Sequence, residues 1–154
     1  QLHAVYVWLT SFYFAGVRVA DVIKLKWSDF KDNRLYYRMG KNRKLVSLVV
    51  PDKTKEILKY FEAQKRGKDD LVFPFLKGTN LKDDKRVATR VKTVTRNLNR
   101  RLQIVGEKLG IEKKLSMHIA RHSFGNISGD KIPIQMLQKL YRHSSITTKK
   151  PMMP

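Results

Sequence analysis

The apolar residues change their spacing several times along the chain, and each change marks an element. Residues 2–14 carry large apolar side chains on all sides (Leu2, Val5, Tyr6, Trp8, Leu9, Phe12, Phe14), the pattern of a buried helix. Gly16 suits its C-terminal cap. A second helix is predicted over 18–25, turning Val19, Val22, Ile23 and Leu25 to the core. Residues 27–30 begin a small sheet. Residues 34–39 and 44–49 continue it, since both runs are rich in β-formers and are parted by Gly40-Lys41-Asn42-Arg43, a tight-turn composition. The prediction is a β-hairpin with a lysine at its tip. Pro51 ends the second run, and Asp52 can cap a helix reaching about Arg66 with Ile57, Leu58 and Phe61 inward.

Residues 67–81 hold Gly67, Pro74, Gly78 and Asn80 and read as a loop. Beyond it, Val87, Val91, Val94, Leu98, Leu102, Val105 and Leu109 recur at spacings of three and four, the clearest amphipathic helix in the chain. Gly110 closes it. Ser116 is placed to cap the next helix, which Gly125, Gly129 and Asp130 end. Pro133 then starts a short helix with Ile134, Leu137 and Leu140 inward, delivering His143 at its far end. The expected fold class is α+β, mostly α-helical with a small antiparallel β-sheet. No repeat, low-complexity tract or linker divides residues 1–154, so one domain is expected, and 154 residues can bury a real core.

Charge narrows the partner. Thirty-three Lys and Arg stand against 13 Asp and Glu, a formal net charge of +20, well beyond what solubility requires. A polyanion is implied. The basic residues are spread over several segments instead of along one amphipathic helix, which favours nucleic acid over a membrane surface. There is no cysteine, which excludes a disulfide framework or thiolate zinc site and fits a cytoplasmic protein. Apolar runs such as Val5 to Trp8 are far shorter than a membrane span. Gln1 is no natural start, and helical spacing is already established at Leu2, so the chain reads as excised from something longer.

Candidate chemistry centres on Met117-His118-Ile119-Ala120-Arg121-His122-Ser123-Phe124. His118 and Arg121, three apart on a helix, share a face and bring a proton-trading imidazole beside a phosphate-gripping guanidinium. Arg18 opens the second helix, where the dipole disfavours an unpaired cation. Asp21, one turn on, could hold it in place. His122 is assigned to packing or hydrogen bonding, because consecutive helical residues do not share a face. Lys92, Arg96 and Arg100 lie opposite the apolar stripe of the long helix, either as a solvated surface or as a stripe against DNA phosphates.

Gly16-Val17-Arg18 with Asp21, the Gly40-Lys41 hairpin, His118-x-x-Arg121 and Leu140-x-x-His143-Ser144-Ser145, in that order, resemble the catalytic domain of the tyrosine recombinases, or phage integrases. Each motif alone is common by chance; four in order are specific. The resemblance implies an integrase catalytic core that cuts and rejoins DNA through a 3′-phosphotyrosine. It implies catalytic roles for Arg18, Lys41, His118, Arg121 and His143. The two arginines would neutralise the phosphorane, with charge that does not depend on pH. Lys41 would protonate the leaving 5′-oxygen, His118 would handle the nucleophile's proton, and His143 would hydrogen-bond the phosphate. No metal or other cofactor is implied. The partner would be double-stranded DNA, with a tetramer on paired sites for the full-length protein and a monomer possible for this fragment.

The pattern fails at its end. Where the family places its tyrosine, this chain has Met152, within Lys149-Lys150-Pro151-Met152-Met153-Pro154, and methionine is no nucleophile for phosphorus. Tyr141 fits an apolar slot of the preceding helix, and Arg142 replaces the usual glycine before the third-motif histidine. The expectation is an inactive fragment with an altered or truncated C-terminus. The alternative is a non-catalytic DNA-binding module that keeps the phosphate site. An RNA-binding protein would rest on charge alone.

Overall fold

The computed structural model describes residues 1–67 and 70–128. The expectations for the helix from Pro133, for Tyr141, Arg142 and His143, and for Met152 lie outside the described residues.

The first predicted helix forms as α1 (Leu2–Tyr13). Its fully buried positions are small ones, Ala4, Val7, Thr10 and Ser11, while Leu2 is half exposed. The large aromatics flank this tight stripe and close it from both sides. The helix ends in two left-handed residues, Ala15 (φ 60°) and Gly16 (φ 77°). The Gly16 amide bonds back to the Ser11 carbonyl at 2.8 Å, and the buried Ser11 hydroxyl donates to the Val17 carbonyl. This pinned turn leads directly into α2 (Val19–Ile23), which is shorter than predicted and has Arg18 at its N-cap, not inside its first turn.

The sheet is antiparallel in the order β1-β2-β3, with β1 (Phe30–Lys31), β2 (Arg34–Arg38) and β3 (Leu45–Val49). Residues 27–29, predicted as strand, form a 3-10 turn (Trp27–Asp29) because the Asp29 carboxylate accepts the Lys26 amide at 2.9 Å. Register runs from Arg34 opposite Val49 to Arg38 opposite Leu45, so Leu35, Tyr37 and Val46 turn to the core while Tyr36, Leu45 and Val49 face out. The tip is a six-residue loop, 39–44, in which Arg43 (φ 59°) takes a left-handed conformation.

Pro51, not Asp52, holds the N-cap of α3 (Asp52–Glu62); Asp52 is its first helical residue, where a carboxylate suits the dipole. The helix stops before Arg66. In its described residues, the segment predicted as a loop is irregular apart from an isolated bridge at Leu71 and a 3-10 turn (Pro74–Leu76), but part of it reaches the core. Val72, Phe73 and Leu76 are buried, and residues 70–72 run alongside 25–27 with Val72 N–H bonded to the Leu25 carbonyl at 2.8 Å. Burying one such side chain stabilises by about 1.5–3 kcal/mol, so three of them anchor this stretch as firmly as a short helix.

The long helix forms as α4 (Asp84–Lys108), capped by Asp83 accepting the Arg86 amide. Val87, Val91, Val94, Leu98 and Leu102 are buried as predicted. Leu109 is not: it lies past the end of the helix and is 69% exposed. The buried stripe finishes instead on Gly106, where a Cβ would come within 3.3 Å of Leu115. The last described helix, α5 (Met117–Ser128), starts where Ser116 predicts but runs through Gly125, which is buried inside it. It packs on α1, through edge-on contact of Phe124 with Phe12 and burial of Met117 and Ala120. No helix of the described residues is long and apolar enough to cross a membrane.

Candidate functional site

Two segments more than a hundred residues apart meet at Arg121. Because α5 lies along α1, Arg121 points at the turn that follows α1, and its Nη1 donates to the Gly16 carbonyl at 2.6 Å in a buried bond. Arg121 is only 9% exposed. Arg18 stands two residues beyond that carbonyl, at the N-cap of α2. Its Nη1 is buried and has no hydrogen-bond partner among the described residues. A buried guanidinium nitrogen without an acceptor costs free energy, so the turn presents a donor prepared for an anion.

Asp21 does not pair with Arg18 as predicted. Its Oδ1 accepts the Gly40 amide at 3.1 Å, across from α2 to the hairpin loop. Asp21 is buried, and burial raises its pKa above the ordinary carboxylate value; the Gly40 bond and then Lys24, Arg18 and Arg121 pull in the opposite direction. The charges of both arginines are therefore felt at this carboxyl, which also tethers the loop carrying Lys41. A Cβ on residue 40 would stand 2.9 Å from Asp21 Oδ1, so only glycine lets the loop come this close. Lys41 follows at once and is exposed at the tip.

His118 is exposed, one turn before Arg121 on α5. His122, expected to face away, packs edge-on against it with ring centroids 4.2 Å apart, since residues four apart on a helix share a face. Arg18, Asp21, the Gly40-Lys41 loop and Arg121 thus gather around one turn of backbone. His118 adjoins them through its spacing from Arg121, and His143 lies outside the described residues.

Lys92, Arg96 and Arg100 are all exposed on α4. Arg96 and Arg100, with Asn99, Gln103, Lys114 and Ser116, line a cleft of about 520 Å³ against the start of α5. Sequence reasoning missed three positioning contacts. Ser11 holds the Val17 carbonyl, the Trp8 indole donates to the Ser116 carbonyl at 3.1 Å, and Asn99 Oδ1 accepts the Met117 amide at 2.8 Å. Ser11 and Asn99 could have been flagged as polar residues on otherwise apolar or basic faces, though not their partners.

Residues 5–150 match the family model described as the phage integrase family. No individually curated protein matches the sequence. Among solved structures, the fold is similar to that of the XerA recombinase, at 22% identity and a TM-score of 0.70, over 97% of this chain and 53% of that one. It is also similar to the XerH site-specific recombinase bound to difH substrate in a pre-cleavage complex, at 18% identity and a TM-score of 0.69, over 96% of this chain and 41% of that one. The same recombinase in a post-cleavage complex with palindromic difH substrate gives 18% identity and a TM-score of 0.68, over 96% of this chain and 40% of that one. The chain spans about half the length of these recombinases or less. With a family match running almost from end to end of the sequence and the family's mostly helical fold with its small antiparallel sheet, the chain belongs to the phage integrase family.

Proposed function

We propose that this chain is the catalytic domain of a site-specific recombinase, a single domain that binds double-stranded DNA and grips one phosphodiester between Arg18 and Arg121. The observation that carries this reading is the buried Arg18 Nη1, which has no hydrogen-bond partner among the described residues, two residues from the carbonyl that holds Arg121. In-line displacement at phosphorus puts negative charge on two nonbridging oxygens, and two preorganised guanidinium groups neutralise it without a metal. Lys41, on the loop tethered by the Asp21–Gly40 bond, is assigned the protonation of the departing 5′-oxygen. His118 is assigned to the nucleophile's proton and His143 to a phosphate hydrogen bond. Lys92, Arg96 and Arg100 extend the grip along the duplex. The XerH structures hold a DNA substrate, which supports DNA as the partner here. A tetramer on paired sites is the working assembly of the full-length protein.

A second reading is favoured by one observation: Met152 stands where the tyrosine nucleophile is expected. In that reading the chain binds DNA and cuts nothing. Covalent catalysis that lacks its nucleophile loses most of its acceleration, so the 154-residue chain itself should give no adduct. A nicked suicide duplex separates the two readings when it is incubated with the natural full-length protein, then resolved on a denaturing gel. Covalent protein–DNA is the expected product; binding without any adduct would leave the non-catalytic reading.

A further inference from the structure

The cleft between α4 and α5 is walled by Arg96, Arg100 and Lys114, with Asn99 and Gln103 between them and Ser116 at the α5 end. No acidic residue among the described residues lines it. Asn99 has two faces. The Met117 amide can only donate, so the Asn99 side chain must turn its oxygen to it, at 2.8 Å. That leaves the Nδ2 amide, a donor, for the cleft. Met117 is the first residue of α5, the helix that carries His118 and Arg121. One side chain therefore joins the basic wall of the cleft to the start of the site helix.

We infer that this cleft takes a second backbone phosphate of the bound duplex, separate from the one between Arg18 and Arg121, and that Asn99 is a positioning residue that fixes α5 in register with that phosphate. The inference rests on the proposed DNA-binding role and deepens it. Three cations and an amide donor match the oxygens of a phosphodiester. With Asn99 bridging the two, the distance between the second phosphate and the Arg121 guanidinium is set by the α4–α5 junction and not by a loop.

Two substitutions at the same position separate the two faces. Asn99→Asp keeps an acceptor for the Met117 amide but puts a negative charge in the cleft. Asn99→Ala removes the acceptor and adds no charge. Amide exchange at Met117 and binding to a short mixed-sequence duplex, measured across salt concentrations, read the two faces. Asn99→Ala should speed Met117 exchange by about fivefold, as loss of one hydrogen bond implies. Asn99→Asp should leave exchange unchanged, weaken duplex binding by tenfold or more, and lower the salt slope by about one. Wild-type duplex affinity in Asn99→Asp overturns the phosphate site, and unchanged Met117 exchange in Asn99→Ala overturns the positioning role. Amide shifts at Lys114 and Ser116 induced by inorganic phosphate and not by the duplex would make the cleft a small-anion site and also overturn the proposal. Arg121→Lys is the control for the underlying reading. If it weakens duplex binding while Asn99→Asp does not, the cleft alone is wrong; if neither does, the DNA-binding reading fails with it.

Discussion

At the scale of single residues, the site is a set of polar groups placed at some cost to stability. Asp21 shows this in its titration. Its folded-state pKa lies above the ordinary carboxylate value, mainly through burial. A raised carboxylate pKa favours the protonated form in the fold, so its contribution to stability is fully present below the unfolded pKa and is lost as pH rises through the folded value. Asn at this position keeps an oxygen for the Gly40 amide and never ionises. The melting temperature of wild type minus that of Asp21→Asn should therefore fall as pH rises from 3.5 to 7, and a difference that rises instead would place Asp21 in a strong ion pair. The candidate site residues could be named from the sequence because motif order picks them out. Their partners could not: that Asp21 holds Gly40 and not Arg18, and that Arg121 is anchored on the Gly16 carbonyl, depend on how close two backbones come in space, which no spacing along the chain encodes.

At the scale of elements, the hairpin and the helices obey their periods, and the departures have local causes. The amphipathic stripe of α4 was readable from Val87 to Leu102, but extrapolating it to Leu109 failed because Gly106 takes the buried place against Leu115 and the helix ends first. Residues 67–81 read as a loop because Gly67, Pro74, Gly78 and Asn80 punctuate them, and the apolar run inside them is too short to show, through any period, that part of it is buried. The burial of Val72 and Phe73 follows from pairing with residues 25–27, a long-range contact. The hairpin loop gives the sharpest element-scale prediction. Gly40→Ala pushes a methyl into Asp21 Oδ1, so either the Asp21–Gly40 bond breaks or α2 shifts. The cost should be about 1–3 kcal/mol, the usual range for overpacking, visible as a lower midpoint in urea together with shifted amide resonances at Lys41. A change within 0.5 kcal/mol would mean the loop is not tethered there. Leu109→Lys, by contrast, should change stability by less than about 0.5 kcal/mol, as expected for an exposed residue.

At the scale of the whole molecule, the proposed function has a charge of +20 supply affinity for DNA without sequence preference, with α4, the hairpin loop and the N-cap of α2 as the contacting elements. If Arg18, Lys41 and Arg121 act at one phosphate, Arg96 and Arg100 at a second and Lys92 at a third, the slope of log affinity against log salt should be about −3. A slope near zero would remove the phosphate-binding account. The central proposal is narrower: Arg18 and Arg121, brought to the same turn by the packing of α5 on α1, grip one phosphate. Arg18→Met tests it most directly, because Arg18 Nη1 has no partner to lose among the described residues. The thermal melting temperature and duplex affinity of this variant should part company, the first unchanged or higher and the second at least tenfold weaker. A lower melting temperature with wild-type affinity would make Arg18 a structural residue and contradict the account.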